Sequence, residues 1–221
     1  NAGLRAILAR QYDFVACHDA DDISYPDRIA KQVEFLDRHS EIAAVGVWGR
    51  HFDEVTGKPT MIQRTPSSAA QTKKMMHVNM AIINSSAMIR VSALRAVGLY
   101  SELYPAAEDY ELFRRISREF QIANIPSVLM DICISPTGIS LHFRRRQLLD
   151  RFKIQLRYFE PAALRAWLGL GWTAALLALP QPMARKFKRW WKRDGHEGMA
   201  IDPKVMGSVI ILAAFMGSLY D

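Results

Sequence analysis

An α/β layered domain over residues 1–140, followed by a helical tail over 141–221, is the architecture the sequence predicts. Three observations predict it: short runs of strand character alternate with segments of helical period, three carboxylates crowd the end of the first such run, and charge is unevenly divided. Residues 1–140 carry 15 Lys/Arg against 16 Asp/Glu, whereas residues 141–221 carry 14 against 6. A uniformly basic chain would suggest nucleic acid. A near-neutral domain joined to a basic, Trp-containing tail suggests a membrane surface instead, and no nucleic-acid partner is expected. With 221 residues, half of them hydrophobic, the chain can bury a core of its own. Cys17 and Cys133 are its only cysteines, which excludes a disulfide framework or paired CxxC metal site and fits a reducing compartment, the cytoplasm.

The elements come in this order. "YDFVACHD" reads as a short buried strand that ends at Asp19, Asp21 and Asp22. "SYPDRIAKQVEFLDRH" reads as a helix, with Ser24 as cap, Asp27 as capping-box partner and Pro26 in the first turn, where its missing N–H costs little. Ile29, Val33 and Leu36 recur along it at helical spacing. This layout puts the three aspartates at the carboxyl end of a strand, where open α/β sheets bind ligands. "IAAVGVWGRHF" is a second strand, and "DEVTGKPT" a turn after it. "SSAAQTKKMMHV" is a helix, and "INSSAMIR" a strand running into "VSALRAVG", a short helix that Gly98 stops. In "AAEDYELFRRISREF" Tyr110, Phe113 and Ile116 share a helical face that Phe120 closes, and Glu108, Asp109 and Glu111 fill the first turn, where the helix dipole favours anions. "IPSVLMDICIS" is the last strand of the domain.

In the tail, "SLHFRRRQLLDRFKIQLRYF" is an amphipathic helix with Leu148, Phe152, Leu156 and Phe159 on one face, suited either to packing on the domain or to a membrane. "LRAWLGLGWTAALLALP" and "VMGSVIILAAFMGSLY" flank the basic, tryptophan-bearing "RKFKRWWKR". Both apolar stretches fall short of the ~20 residues a spanning helix needs. Cations beside tryptophans suit anionic head groups, so residues 161–220 are expected at a membrane surface, on its cytoplasmic face, peripherally or through one C-terminal anchor. Core helices of a helical subdomain are the alternative.

Carboxylates as close as Asp19, Asp21 and Asp22 raise one another's pKa unless a cation sits among them. A solvated turn is one reading. An EF-hand loop is excluded, because Ser24 stands where its Gly belongs and Ala30 where its Glu belongs. The nucleophile motif of haloacid-dehalogenase-type phosphatases fits "DADDI" except for Ile23. A third reading is an oxygen-ligand site for Mg²⁺ or Mn²⁺ shared with a substrate's phosphates.

"DADDISYPDRIAKQVEFLDRHSEIAAVG", "INSSAMIRVSALRAVGLY" and "AAEDYELFRRI", in that order, resemble the inverting family-2 glycosyltransferases of the GT-A fold, over roughly residues 1–140. The resemblance implies a GT-A-like domain with a central mixed sheet, a nucleotide-diphosphate-sugar donor and a hydroxyl acceptor on a lipid-linked or cell-surface glycan. It implies that Asp19, Asp21 and Asp22 are the DxD segment, which binds the donor through a divalent cation, Mg²⁺ or Mn²⁺. It implies that Asp109 is the general base, with Glu108 beside it. Ser85 and Ser86 fall in the segment that lies near the acceptor and receive no role. The chemistry agrees: displacing a nucleoside diphosphate builds negative charge that a cation stabilises, while a carboxylate on the opposite face deprotonates the attacking hydroxyl, giving inversion.

Asn1 and Gly3 align near a later segment of the family, so an N-terminally truncated chain lacking the family's nucleotide-binding start is expected. The place of its YRxH-like segment reads "ICIS", Ile132 to Ser135, and His142 nearby is expected at the surface. A catalytically inactive, membrane-bound remnant partnering an intact transferase is the non-enzymatic alternative.

Overall fold

A computed structural model describes residues 1–135 and 143–178. The elements are α1 (Ala2–Leu8), β1 (Phe14–Ala16), β2 (Ile23–Ser24), α2 (Arg28–Arg38), β3 (Ile42–Asp53), β4 (Pro59–Gln63), α3 (Ala69–Met76), β5 (Met88–Arg90), α4 (Val91–Val97), α5 (Glu108–Glu119), β6 (Gln121–Ile134), α6 (Arg144–Arg157) and α7 (Leu164–Ala178). The sheet runs in the order β1-β5-β3-β6-β2, with β4 also paired to β3. It is mixed, as expected: β3 and β6 run parallel from Ile42↔Gln121 to Asp53↔Ile134, and the other pairs are antiparallel.

Strand β3 is the spine. Its first six residues, Ile42 to Val47, are all buried, the pattern of a strand covered on both faces. On one face Leu94 of α4 and Leu112, Phe113 and Ile116 of α5 pack with Ala44, Ile82 and Ile89. On the other, Leu36 of α2 packs with Ile42, Val45, Met88 and Ala123. Gly98 ends α4 at φ 87°, the left-handed region that favours glycine. Helix α5 is built as its periodicity predicts, with Tyr110, Phe113 and Ile116 all buried.

Two helices differ from expectation. α2 begins at Arg28, with Asp27 as its cap position; Ser24 belongs to β2 and its hydroxyl accepts from Arg28 at 3.3 Å. Its inward face is Arg28, Gln32 and Leu36, while Ile29 is 45% exposed. The polar pair is buried because each side chain finds backbone oxygens: Gln32 donates to Val45 O at 3.0 Å and Ser86 O at 2.8 Å. On α6 the buried positions are Leu148, Asp150, Ile154 and Gln155; Leu156 is exposed, and Phe159 lies beyond the helix, edge-on to Trp167.

α6 packs on the domain, with Ile154 in the main core. Polar contacts fasten both this helix and the segment 158–160 after it. Tyr158 Oη donates to Glu111 Oε1 at 2.6 Å, Arg114 reaches Glu160 at 3.0 Å, and Gln155 donates to Val78 O at 3.1 Å. α7 docks backbone to backbone: a Cβ at Gly169 would stand 2.2 Å from His77 O. Among the described residues no helix is long and apolar enough to cross a membrane. "RKFKRWWKR", "VMGSVIILAAFMGSLY" and His142 lie outside the described residues.

Candidate active site

The acidic turn joins β1 to β2. β2 is only two residues long, and its pairing with β6 (Ile23↔Asp131, Ser24↔Met130) fixes the exit of the turn. The turn is closed locally by the Asp22 N–H donating to Asp19 O at 3.2 Å. Across the sheet, the Cys133 N–H donates to Asp22 Oδ1 at 3.0 Å. Asp22 is 9% exposed, and its Oδ2 is buried without a hydrogen-bond partner. The Asp19 carboxyl is pushed up from its ordinary range, first by desolvation and then by the charges of Asp22 and Asp21.

Behind the turn lies a cation the sequence alone did not single out. Arg28, 1% exposed, donates to Cys17 O at 2.7 Å and Ser24 Oγ at 3.3 Å, and its Nε donates to Gln32 Oε1 at 3.1 Å. Burial depresses its pKa, while the charge of Asp22 acts in the opposite sense. The available signal was its spacing: Arg28 precedes Gln32 and Leu36 on one helical stripe.

The second acidic site is the head of α5. Asp109 Oδ1 accepts from the N–H of Tyr110 at 2.6 Å. Burial pushes the Asp109 carboxyl up; the Tyr110 N–H opposes this, and the charges of Glu108 and Asp19 add to it. The loop before α5 is held from α6, where Asp150 Oδ2 accepts from the Ala106 N–H at 3.3 Å.

A cleft of about 510 Å³ brings the two acidic sites together: Asp19 of the turn and Glu108 and Asp109 of α5 all line it. Phe143, Arg146 and Gln147, from the start of α6, complete it with Asn84 and the Pro105–Ala106 loop. Asn84 Oδ1 accepts from Tyr100 Oη at 3.4 Å, and burial raises the pKa of that phenol. Among the described residues Arg146 is the one basic residue of this lining, and in the sequence it stands only as part of a charge run. Ser85 and Ser86 are buried; the Ser86 hydroxyl donates to Ile83 O at 2.8 Å and accepts from the Val47 N–H at 3.2 Å, so it belongs to the core.

Among the described residues no group of three or more His, Cys, Asp or Glu side chains stands ready to hold a metal ion. The donor chemistry of the turn nevertheless fits a hard divalent cation, which usually takes one or two carboxylates and fills its shell with phosphate and water. The unpartnered Asp22 Oδ2 and the mutually repelling Asp19 and Asp21 are groups such a cation would satisfy. The phosphatase alternative fares worse, since it requires a lysine at the same pocket and, among the described residues, none lines the cleft.

Comparison with known proteins agrees. Residues 1–98 match glycosyl transferase family 2. An uncharacterized glycosyltransferase of Haemophilus influenzae is 27% identical over 155 residues, covering 70% of this chain and 55% of that protein. The amylovoran biosynthesis glycosyltransferase AmsE of Erwinia amylovora is 32% identical over 134 residues, covering 60% of this chain and 48% of that protein. The chain thus spans about half the length of the curated relatives it matches. Among solved structures, TarS of S. aureus superposes with a TM-score of 0.52 at 14% identity, covering 80% of this chain and 29% of TarS, a likeness of fold. With its mixed sheet, its paired acidic sites and these matches, the chain is similar to glycosyl transferase family 2 over residues 1–98, and its fold is GT-A-like.

Proposed function

We propose that this chain transfers a sugar from a nucleotide-diphosphate-sugar donor to a hydroxyl of a glycan or lipid-linked acceptor, with inversion. The observation that carries the reading is the single cleft lined both by Asp19 of the acidic turn and by Glu108 and Asp109 of α5. Two separated acidic sites are what a one-step displacement needs, one beside the leaving diphosphate and one beside the attacking hydroxyl. AmsE is named for amylovoran biosynthesis, which supports a glycan product.

Asp109 accepts the proton of the acceptor hydroxyl. Its raised pKa makes it a stronger base than an ordinary surface carboxylate, and the Tyr110 N–H aims one oxygen, leaving the other for the acceptor. Glu108 beside it adds negative charge that supports this basicity. On the donor side Asp19, Asp21 and Asp22 would hold Mg²⁺ or Mn²⁺, which supplies positive charge to the leaving diphosphate when bound. Arg28 keeps the turn in shape, because its guanidinium ties Cys17 O, before the aspartates, to Ser24 Oγ, after them.

The membrane is part of the proposal. Residues 141–221 carry 14 Lys/Arg against 6 Asp/Glu, and α7 exposes Leu164 and Trp167. Peripheral contact with an anionic, cytoplasmic membrane surface suits an acceptor carried on a lipid. Sedimentation with phosphatidylglycerol vesicles tests this, and a chain that stays in the supernatant refutes it.

The primary test is calorimetric titration with Mn²⁺ and a panel of nucleoside diphosphates, beside Asp21→Asn and Asp22→Asn. Metal-dependent nucleotide binding that the variants lose supports the donor site. A folded chain that binds nucleotide equally well with and without metal, or equally well as Asp22→Asn, overturns it.

A further inference from the structure

A second recess, of about 280 Å³, shares no lining residue with the acidic cleft among the described residues. It lies among Trp48 of β3, the segment 64–67 that follows β4, α3 and the start of α7. Three cations from three parts of the chain line it: Arg64, Lys74 and Arg165. Among the described residues no Asp or Glu lines it, and none of the three cations is ion-paired. Like charges converging without a counter-ion repel one another, so the arrangement favours an anion that enters from outside.

The remaining walls narrow the chemistry. The Trp48 indole is fixed in place, its Nε1–H donating to Thr65 O at 3.0 Å and its ring lying 5.5 Å from the Arg64 guanidinium carbon. Thr65 lines the recess at 9% exposure, and its Oγ1 is buried with no hydrogen-bond partner. Buried hydroxyls are ordinarily satisfied, so this one is a polar group left without a protein partner beside the recess. Gln71 and Ser67 add neutral donors and acceptors, and Met75 adds apolar surface.

We propose that this recess binds an acidic saccharide, a sugar unit that carries a carboxylate or phosphate. The charged group meets the three cations, the sugar hydroxyls meet Ser67 and Gln71, and the ring lies against Trp48 and Met75. At about 280 Å³ the recess is just below the ~300–1,000 Å³ of typical small-molecule sites, a size for one sugar unit. A concave site that sets three cations around an indole suits a discrete ligand better than a planar lipid surface, which engages protruding side chains. The proposal stands apart from the transferase reading and does not depend on it.

The test is calorimetry on the full chain with an oligoglucuronate, glucose 6-phosphate, a neutral glucan oligosaccharide, inorganic phosphate and phosphatidylglycerol vesicles. The R64Q/K74Q double variant is compared with R5Q/K58Q, which removes equal charge from exposed positions outside the recess. The expected result is binding of the oligoglucuronate or the sugar phosphate but not of the neutral oligosaccharide, weakened roughly tenfold or more in R64Q/K74Q and unchanged in R5Q/K58Q. Equal weakening in both variants, inorganic phosphate binding as tightly as the saccharides, or binding to vesicles alone would each overturn it.

Discussion

Asp22 of the acidic turn and Asp109 at the head of α5, the two carboxylates to which the proposed reaction gives separate roles, are held by contrasting means. Asp22 takes its N–H from Cys133, 111 positions away, in a turn fastened from behind by the buried Arg28. Asp109 takes its N–H from the next residue, Tyr110, at the head of a helix already anchored by Phe113 and Ile116. The acidic turn is therefore a tertiary construction, whereas the setting of Asp109 is a local one. Damage behind the turn should reduce folding and ligand binding together, while removing the Asp109 charge should reduce activity without lowering stability.

Asp109→Asn tests the local side and carries the largest expected effect, a loss of transfer of about 10³-fold in kcat. Stability should move the other way. Because the folded-state pKa of Asp109 is raised, the folded chain holds more protons than the unfolded one between the ordinary carboxylate pKa and the raised value. Stability therefore falls as pH rises through that window, and above it the charged carboxylate remains a cost. The variant should melt above the parent at pH 8, with the gap closing in acid below the ordinary carboxylate range. A melting temperature that falls along with activity would break the contrast. The same shift should place the acid limb of the parent's kcat/KM profile above the ordinary carboxylate range, and Asp109→Asn should abolish that limb.

Arg28→Met tests the tertiary side. Loss of the charged hydrogen bonds to Cys17 O and Ser24 Oγ should cost about 3 kcal/mol in urea unfolding, and metal-dependent nucleotide binding should weaken in the protein that remains folded. Unchanged binding with lowered stability would show that the turn keeps its shape without its guanidinium. The smallest effect is expected at Arg146, an exposed cation facing the carboxylates of the cleft. Arg146→Gln should raise the donor KM about threefold with little change in kcat, read by steady-state kinetics.

Legibility in the sequence divides along the same line between local and tertiary construction. That Asp19, Asp21 and Asp22 follow a strand and that Glu108 and Asp109 open a helix was legible because apolar patterning marks both boundaries. Helix α5 was legible because Tyr110, Phe113 and Ile116 repeat at helical spacing. Arg28 and Gln32 were not, because buried polar residues look like a solvent face until their backbone partners are known, and those partners lie on other elements. The face of α6 was misjudged for the same reason: Gln155 turns inward to Val78 O and Arg151 reaches Asn79 Oδ1 at 2.6 Å, while Leu156 is left exposed. β2 is too short to carry a pattern and exists through its pairing with β6. Helix α1 has no buried residue, and nothing in its sequence singled it out.

The parallel pairing of β3 with β6 has a consequence for how the chain comes into being. Residues 54–120 separate the two strands, so their ladder forms only after a long loop has been closed. Such non-local pairing is slow compared with helix formation, which makes the centre of this sheet a late event in folding. A nascent chain that has not yet emerged past Gln121 presents the buried, apolar run Ile42–Val47 of β3 with one edge unpaired, a template for association with other chains. During synthesis the protein is thus most exposed to aggregation just before the strand that supplies the Cys133 N–H to its acidic turn.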